Sequence, residues 1–174
     1  MKKGFTLIEL LIVIGIIAIL MAIAIIAINP GRQFAKANNA KRWADVGAIA
    51  NAISLKIVEE RGDWGVSGNC EDLLSLTDGV TYPLAFDDGD PTVDEVDICD
   101  CLVPYYFGSM PLDPDPTGGL PPNETPPCSV IGDSSYYDTG YTISRGSEGR
   151  IKITAPLADD ADGDGSPDII SVSR

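Results

Sequence analysis

The sequence predicts an α+β protein in which a long N-terminal α-helix packs on a small antiparallel β-meander of about three strands. Residues 5–28 are apolar with a single charged residue, and residues 29–61 repeat apolar side chains at steps of three and four. Residues 141–173 hold three short segments in which apolar and polar side chains tend to alternate. A chain of 174 residues has room for one globular domain besides the N-terminal segment.

The N-terminal apolar segment is long enough to span a membrane, since about 20 apolar residues cross roughly 30 Å of hydrocarbon. The run exceeds the apolar core of a cleaved secretory signal. Lys2 and Lys3 precede it and favour a cytoplasmic N-terminus, with the rest of the chain outside. A plain membrane anchor does not explain Glu9, because an acid in a membrane helix is costly unless it is paired.

The second half of the helix is predicted to be amphipathic. Pro30 removes a helix hydrogen bond, so the sequence predicts a kink or a locally melted stretch at Asn29 to Gly31. Helical spacing then resumes to about Glu60, and Gly62 is the expected terminator. The apolar stripe is formed by Phe34, Trp43, Val46, Ala50, Ile53 and Ile57.

The meander is predicted from residues 141–144, 150–155 and 168–173, the first two joined as a β-hairpin. Residues 80–86 are a candidate edge strand, because Pro83 is tolerated only at an edge. Residues 111–127 are too rich in proline and glycine for regular structure and are expected to form a surface loop.

Four cysteines in a small exported domain predict two disulfides. They are Cys70, Cys99, Cys101 and Cys128. A bridge between Cys99 and Cys101 would be strained, which leaves 70–99 with 101–128, or 70–101 with 99–128. A zinc site is the weaker alternative, because the chain has no histidine and no CxxC pair.

The charge distribution argues against nucleic-acid binding and against catalysis. The net charge is -14, from 12 basic and 26 acidic residues, and much of the basic charge lies before residue 62. The acidic remainder repels phosphate. The lack of histidine excludes a Ser-His-Asp triad, and no phosphate-binding glycine loop is present. We therefore expect a protein that is not an enzyme.

The stretch GFTLIELLIVIGIIAIL, residues 4–20, resembles the prepilin signature of type IV pilins and of the related pseudopilins of type II secretion. The resemblance implies that prepilin peptidase cuts between Gly4 and Phe5, and that Phe5 is then N-methylated. It divides the chain into a leader (1–4), a transmembrane and filament-core helix (5–28), its amphipathic half (29–61) and an exported globular domain (62–174). MPLDP and the later YYDTGYTISRGSEGRIKITAP are similar to the C-terminal part of the same proteins.

Within this resemblance, Glu9 occupies the acid position of the family and is expected to act in assembly. Cleavage creates a positive amine on Phe5, and Glu9 of one subunit pairs with the amine of its neighbour. Such a pair is strong in a low dielectric, and either charge buried alone is heavily penalised. The pairing would set the axial register of subunits, as buried polar residues do in coiled coils.

An aspartate-rich loop near the end of the chain predicts a calcium site. Its spacing matches positions 1, 3, 5, 7 and 9 of an EF-hand-type loop, with Gly165 at the sharp turn. The predicted ligands are Asp160, Asp162, Asp164, the Ser166 carbonyl and Asp168. Position 12 is Ser171 instead of glutamate, so Asp159 or the 87–97 loop is a candidate to complete the shell.

The function implied by the resemblance is a structural subunit of a type IV pilus-like filament. Its expected partners are copies of itself, related pilins, prepilin peptidase, the inner-membrane assembly machinery and the membrane. The precursor is expected in the cytoplasmic membrane and the mature chain in an extracellular or periplasmic filament. Two alternatives remain: a major-type pseudopilin of type II secretion, and a monomeric, membrane-anchored, extracytoplasmic calcium-binding module.

Overall fold

The computed structural model of the chain describes residues 4–62, 64, 73, 75–86, 94–115 and 137–174. The helices are α1 (Leu7–Ile28), α2 (Pro30–Glu59) and the short α3 (Cys99–Leu102). The strands are β1 (Thr81–Phe86), β2 (Tyr137–Arg145), β3 (Ile151–Ala155) and β4 (Ile170–Ser173). The α+β class predicted from the sequence is confirmed.

Helix α1 begins at Leu7, two residues later than predicted, with Thr6 as its N-cap. Its described side chains are exposed all round, so α1 packs on no described part of the globular domain. By length and composition, Leu7–Ile25 is the one stretch among the described residues that is suited to cross a membrane.

The predicted irregularity at Pro30 is a complete break of one residue between α1 and α2. Asn29 adopts a left-handed conformation, with φ 48° and ψ 79°, and Pro30 is the first residue of α2. Proline suits the first helical position and disfavours helical geometry in the residue before it. Asparagine is one of the few residues that visit the left-handed region readily. The two helices therefore do not form one continuous rod.

Helix α2 supplies one wall of the core through Val46, Ile49 and Ile53, which are buried. The predicted stripe is wrong at its N-terminal end, where Phe34 and Trp43 are exposed. The buried residues of α2 begin only at Asn39, so its first turns extend beyond the core. The helix ends at Glu59, and the first left-handed residue after it is Arg61 (φ 60°), not the predicted Gly62. Gly62 (φ 93°) follows and donates its N–H to the Ile57 carbonyl over 2.8 Å.

The four strands form one antiparallel sheet in the order β1-β2-β3-β4, one strand more than the meander predicted. The additional strand is the predicted edge segment, which lies at the end of the sheet where Pro83 is tolerated. Strand β2 also begins earlier than predicted, at Tyr137, and its burial alternates along the strand. The buried face of the sheet packs on α2 through Tyr141, Ile143 and Ile153.

Two of the four cysteines lie in the described part of the chain. Cys99 and Cys101, in α3, are buried and disulfide-bonded. Cys70 and Cys128 lie outside the described residues, and so do most of the loops predicted at 87–97 and 111–127. The choice between the two disulfide pairings therefore stays a prediction.

Candidate functional site

The predicted cleavage site lies just before α1 in a non-helical, exposed segment. Gly4, Phe5 and Thr6 are exposed, and Thr6 has extended backbone angles of φ -87° and ψ 151°. An extended, accessible peptide is the form that a protease active site can bind. The peptide bond between Gly4 and Phe5 is therefore placed where a peptidase can reach it.

Glu9 closes a capping box with Thr6 at the start of α1. The backbone N–H and the hydroxyl of Thr6 donate to Glu9 Oε2 over 3.0 and 2.8 Å, and the Glu9 N–H donates to the Thr6 hydroxyl over 3.3 Å. This arrangement satisfies backbone donors that a helix N-terminus leaves unpaired. This capping box was not predicted from the sequence, although threonine followed three residues later by glutamate is its known signature.

The capping box holds the carboxylate at the N-terminal end of the helix without neutralising its charge. Among the described residues, only Thr6 forms hydrogen bonds with the Glu9 side chain, and both go to the same oxygen. No other residue from Leu7 to Ile28 is charged. Glu9 is thus positioned to accept a cation from outside its own helix.

The aspartate-rich loop folds around the side chain of Asp160. Asp160 Oδ1 accepts the N–H of Gly163 over 2.6 Å, and Oδ2 accepts the N–H of Gly165 over 2.9 Å. These backbone hydrogen bonds, first from Gly163 and then from Gly165, lower the pKa of Asp160. Both glycines have positive φ, 82° and 91°, which other residues rarely adopt.

The loop brings together three of the five predicted calcium ligands. Ligand oxygens of Asp160, Asp162 and Asp164 all lie within 4.8 Å of one another. Asp168 does not join them, because its Oδ2 accepts a hydrogen bond from Asn39 Nδ2 over 2.7 Å. The N–H of Ser166 donates to Asp164 Oδ1 over 2.8 Å. The three clustered carboxylates offer oxygen donors, the ligand type that both calcium and magnesium take.

Helix α2 anchors this loop through side chains that sequence reasoning did not connect with it. The guanidinium of Arg32 donates to the carbonyls of Asp162 and Ala161. Asn39 donates to the Asp159 carbonyl over 2.7 Å and accepts the Asp159 N–H over 2.9 Å. These contacts join residues about 120 to 130 positions apart, so no local pattern in the sequence could reveal them.

Asp159, a candidate to complete the calcium shell, is instead engaged by Arg42. Its Oδ2 accepts Nη1 of Arg42 over 2.7 Å, and the same nitrogen donates to Asn39 Oδ1 over 3.0 Å. The Arg42 side chain is fully buried, and hydrogen bonds to Asp113 and then to Asp159 raise its pKa. The base of the loop is therefore held by an ion pair.

Residues 1–25 match the family model of the prokaryotic N-terminal methylation motif. The match covers the predicted cleavage site, Glu9 and most of α1. Such class III signals are the hallmark of type IV pilin and pseudopilin precursors, and here the match is confined to the N-terminal segment. Together with the apolar α1, it fits a membrane-anchored precursor. No solved structure matches the chain.

Proposed function

We propose that the mature chain, beginning at Phe5, is a structural subunit of a type IV pilus-like filament and has no catalytic role. The observation that carries the proposal is the form of α1. It is a 22-residue helix that is apolar and exposed all round, with one carboxylate at its N-terminal end. The methylation motif matched over residues 1–25 supports the same reading.

The exposed surface of α1 requires an apolar environment on every side. A helix that is apolar all round is stable in a membrane or inside a helical bundle. In either setting the charge on Glu9 needs a partner, because an unpaired buried charge is strongly penalised. The amine freed on Phe5 of a neighbouring copy is a cation of the right kind. A bundle of α1 helices would satisfy the apolar surface and the carboxylate together.

The capping box offers a way to test the charge separately from the helix. Glutamine also serves at this position of a capping box, so Glu9→Gln removes the charge while the helix start is kept. We expect Glu9→Gln to be processed and retained in the membrane but to form no filaments. Thr6→Ala weakens the cap, by about 1 kcal/mol for a typical N-cap, but keeps the carboxylate, so filaments should still form.

The experiment requires the chain to be expressed with its peptidase and assembly machinery. Electron microscopy of sheared cells would count filaments, and mass spectrometry would identify subunits that begin at methylated Phe5. Filaments of normal length and number from Glu9→Gln would refute the proposal. Subunits that retain Lys2 and Lys3 would instead favour the membrane-anchored module. Recovery only in short periplasmic assemblies would favour the pseudopilin.

We further propose that the loop at residues 160–164 binds calcium in the exported domain. The clustering of three carboxylates within 4.8 Å supports this assignment. Asp160, Asp162 and Asp164 would hold the ion, and the ion would relieve their mutual repulsion. Sites of this type in extracellular modules bind calcium with dissociation constants of roughly 10⁻⁴ to 10⁻³ M.

A further inference from the structure

An apolar groove lies between the C-terminal half of α2 and the far end of the sheet. Its volume is about 300 Å³. The residues that line it include Ile53, Ile57, Val58, Gly149, Ile151 and Arg174. Val58 is 74% exposed. The groove is therefore open at the surface and offers apolar walls beside one arginine.

One exposed isoleucine of the globular domain lies directly before β4, away from this groove. Ile169 follows the aspartate-rich loop and is 83% exposed. Its neighbour Asp168 is bound to Asn39, whereas the groove is lined by Val58, 19 residues further along α2 (58 minus 39). Ile169 and the groove residue Arg174 flank β4 at opposite ends, five residues apart (174 minus 169), which is about 17 Å at roughly 3.3 Å per residue. Ile169 therefore cannot reach the groove of its own chain.

The charges around these two features are complementary. Ile169 stands beside the loop that carries Asp160, Asp162 and Asp164. At the groove, the exposed Arg174 forms no salt bridge with any carboxylate in the described part of the chain. The surface around Ile169 is therefore acidic with one apolar side chain, and the groove is apolar with the cation Arg174 at its edge. The two surfaces are complementary.

We infer that Ile169 of one subunit packs into the groove of the next copy, with the acidic loop of the first copy beside Arg174 of the second. The inference rests on the proposed filament function and names the contact between globular domains. A protrusion at one end that fits a pocket at the other makes a heterologous interface, which extends into a polymer when it does not close into a ring. Burial of Ile169 and Val58 removes apolar surface that each isolated domain exposes.

Cross-linking of assembled filaments tests this contact directly. A short bis-maleimide reagent would be applied to filaments of Ile169→Cys/Val58→Cys, and the subunits would be separated under reducing conditions. We expect a ladder of dimers, trimers and higher multimers, because each subunit offers both halves of the contact. Neither single variant can extend beyond a dimer. Ile169→Cys/Tyr105→Cys is the matched control, since Tyr105 is 79% exposed and does not line the groove.

A pair of charged variants provides a second, independent measurement. Val58→Glu places a carboxylate in the groove, whereas Leu55→Glu places one on the same helix outside it. Leu55 is 55% exposed, so both variants should fold. We expect Val58→Glu to reduce filament number roughly tenfold or more, equivalent to at least about 1.4 kcal/mol in subunit association. Leu55→Glu should have little effect.

The outcomes separate this contact from the filament function itself. If wild-type filaments form but the double-cysteine variant gives no ladder and Val58→Glu assembles normally, the contact is refuted and the filament function stands. If the wild-type chain forms no filaments under conditions in which it is processed, both proposals fail.

Discussion

Arg42 and Asp113 form a two-pronged ion pair in the interior of the domain. Arg42 Nε donates to Asp113 Oδ2, and Nη2 donates to Oδ1, each over 2.8 Å. The side chains are 0% and 4% exposed. The remaining guanidinium nitrogen binds Asp159, so one arginine of α2 connects the segment before residue 115 with the base of the aspartate-rich loop.

Loss of this arginine is predicted to be severe. Arg42→Leu removes the cation and leaves Asp113 buried with an uncompensated charge, which typically costs 3–5 kcal/mol, as a rough range for buried pairs. Chemical denaturation of the full chain in detergent would measure the change in the free energy of unfolding. Arg150→Ala is the control, because its pair with Glu148 is more than half exposed and should contribute no more than about 1 kcal/mol. If Arg42→Leu lowered the free energy of unfolding by less than about 1 kcal/mol, the central role of the pair would be contradicted.

A second prediction concerns Gly140, which faces the same aspartate. Gly140 has φ 74°, and a Cβ atom built on it would lie 2.8 Å from the Asp113 Cβ. Gly140→Ala should therefore lower the free energy of unfolding by about 2 kcal/mol or more, through backbone strain and overpacking together.

Gly79 offers the matched control for this variant. It has a similar φ of 79°, but a Cβ atom there would meet nothing within 4 Å. Gly79→Ala should show the backbone penalty alone, so the difference between the two variants measures the contact with Asp113. Equal losses in both variants would show that this contact is unimportant for stability.

Calcium is predicted to stabilise the exported domain through the aspartate-rich loop. At a concentration about 100 times the dissociation constant, a ligand that binds only the folded state adds about 2.7 kcal/mol. Thermal unfolding of the full chain with calcium or with a chelator would measure this increment. Asp160→Asn and Asp164→Asn should abolish it, because both carboxylates belong to the cluster.

Two further variants test which carboxylates are needed for the calcium-dependent increase in stability. Asp168→Asn should lower the basal stability but retain the calcium increment, since its side chain is directed to Asn39. Asp78→Asn, on an exposed residue outside the loop, should change neither quantity appreciably. A calcium increment that survives in Asp160→Asn would overturn the assignment.

Alkaline pH is predicted to destabilise the domain because three tyrosines resist ionisation in the folded state. Burial, reinforced by Asp97, raises the pKa of Tyr137, and burial with the hydrogen bond to Asp45 raises the pKa of Tyr141. Burial and then the hydrogen bond to Glu59 raise the pKa of Tyr106 to about 12. The unfolded chain releases these protons near pH 10, so the folded state is progressively disfavoured above that value.

The same linkage between proton binding and folding gives the expected slope of the free energy of unfolding against pH. This contribution to stability is fully present below about pH 10. Each pH unit above it costs up to about 1.4 kcal/mol for each of the buried Tyr137 and Tyr141, and less for the partly exposed Tyr106 because solvent screens it. For Tyr106 this loss ends near its folded pKa of about 12. Denaturation curves measured across this range should show a shallower slope for Tyr137→Phe. A stability that does not change with pH in this window would contradict the prediction.

The parts of the structure that depend on local patterns were predictable from the sequence. The apolar run specifies α1, Pro30 predicts an irregularity in the helix although not the complete break, and alternation specifies the hairpin of β2 and β3. The capping box at Glu9 was also accessible in this way, because both of its residues lie within one helical turn.

The parts that depend on distant partners were not predictable. Arg42 lies outside the apolar stripe predicted for α2, yet it is fully buried, because it pairs with Asp113 and Asp159, which lie 71 and 117 residues away. Asp168 fits the spacing of a calcium ligand, but Asn39 binds it from a different element. Charge pairs can reverse the burial that a helical pattern predicts, and single-sequence periodicity carries no information about them.

The left-handed Asn29 separates the apolar helix α1 from the globular domain by a single non-helical residue. Helix α1 packs on no described part of the globular domain. Pro30 disfavours helical geometry at Asn29, so α1 and α2 do not merge into one continuous helix. In the proposed assembly, a subunit that moves from the membrane into a filament would change the direction of α1 relative to the globular domain. The break at Asn29 would place this change of direction outside the packed interior of the globular domain.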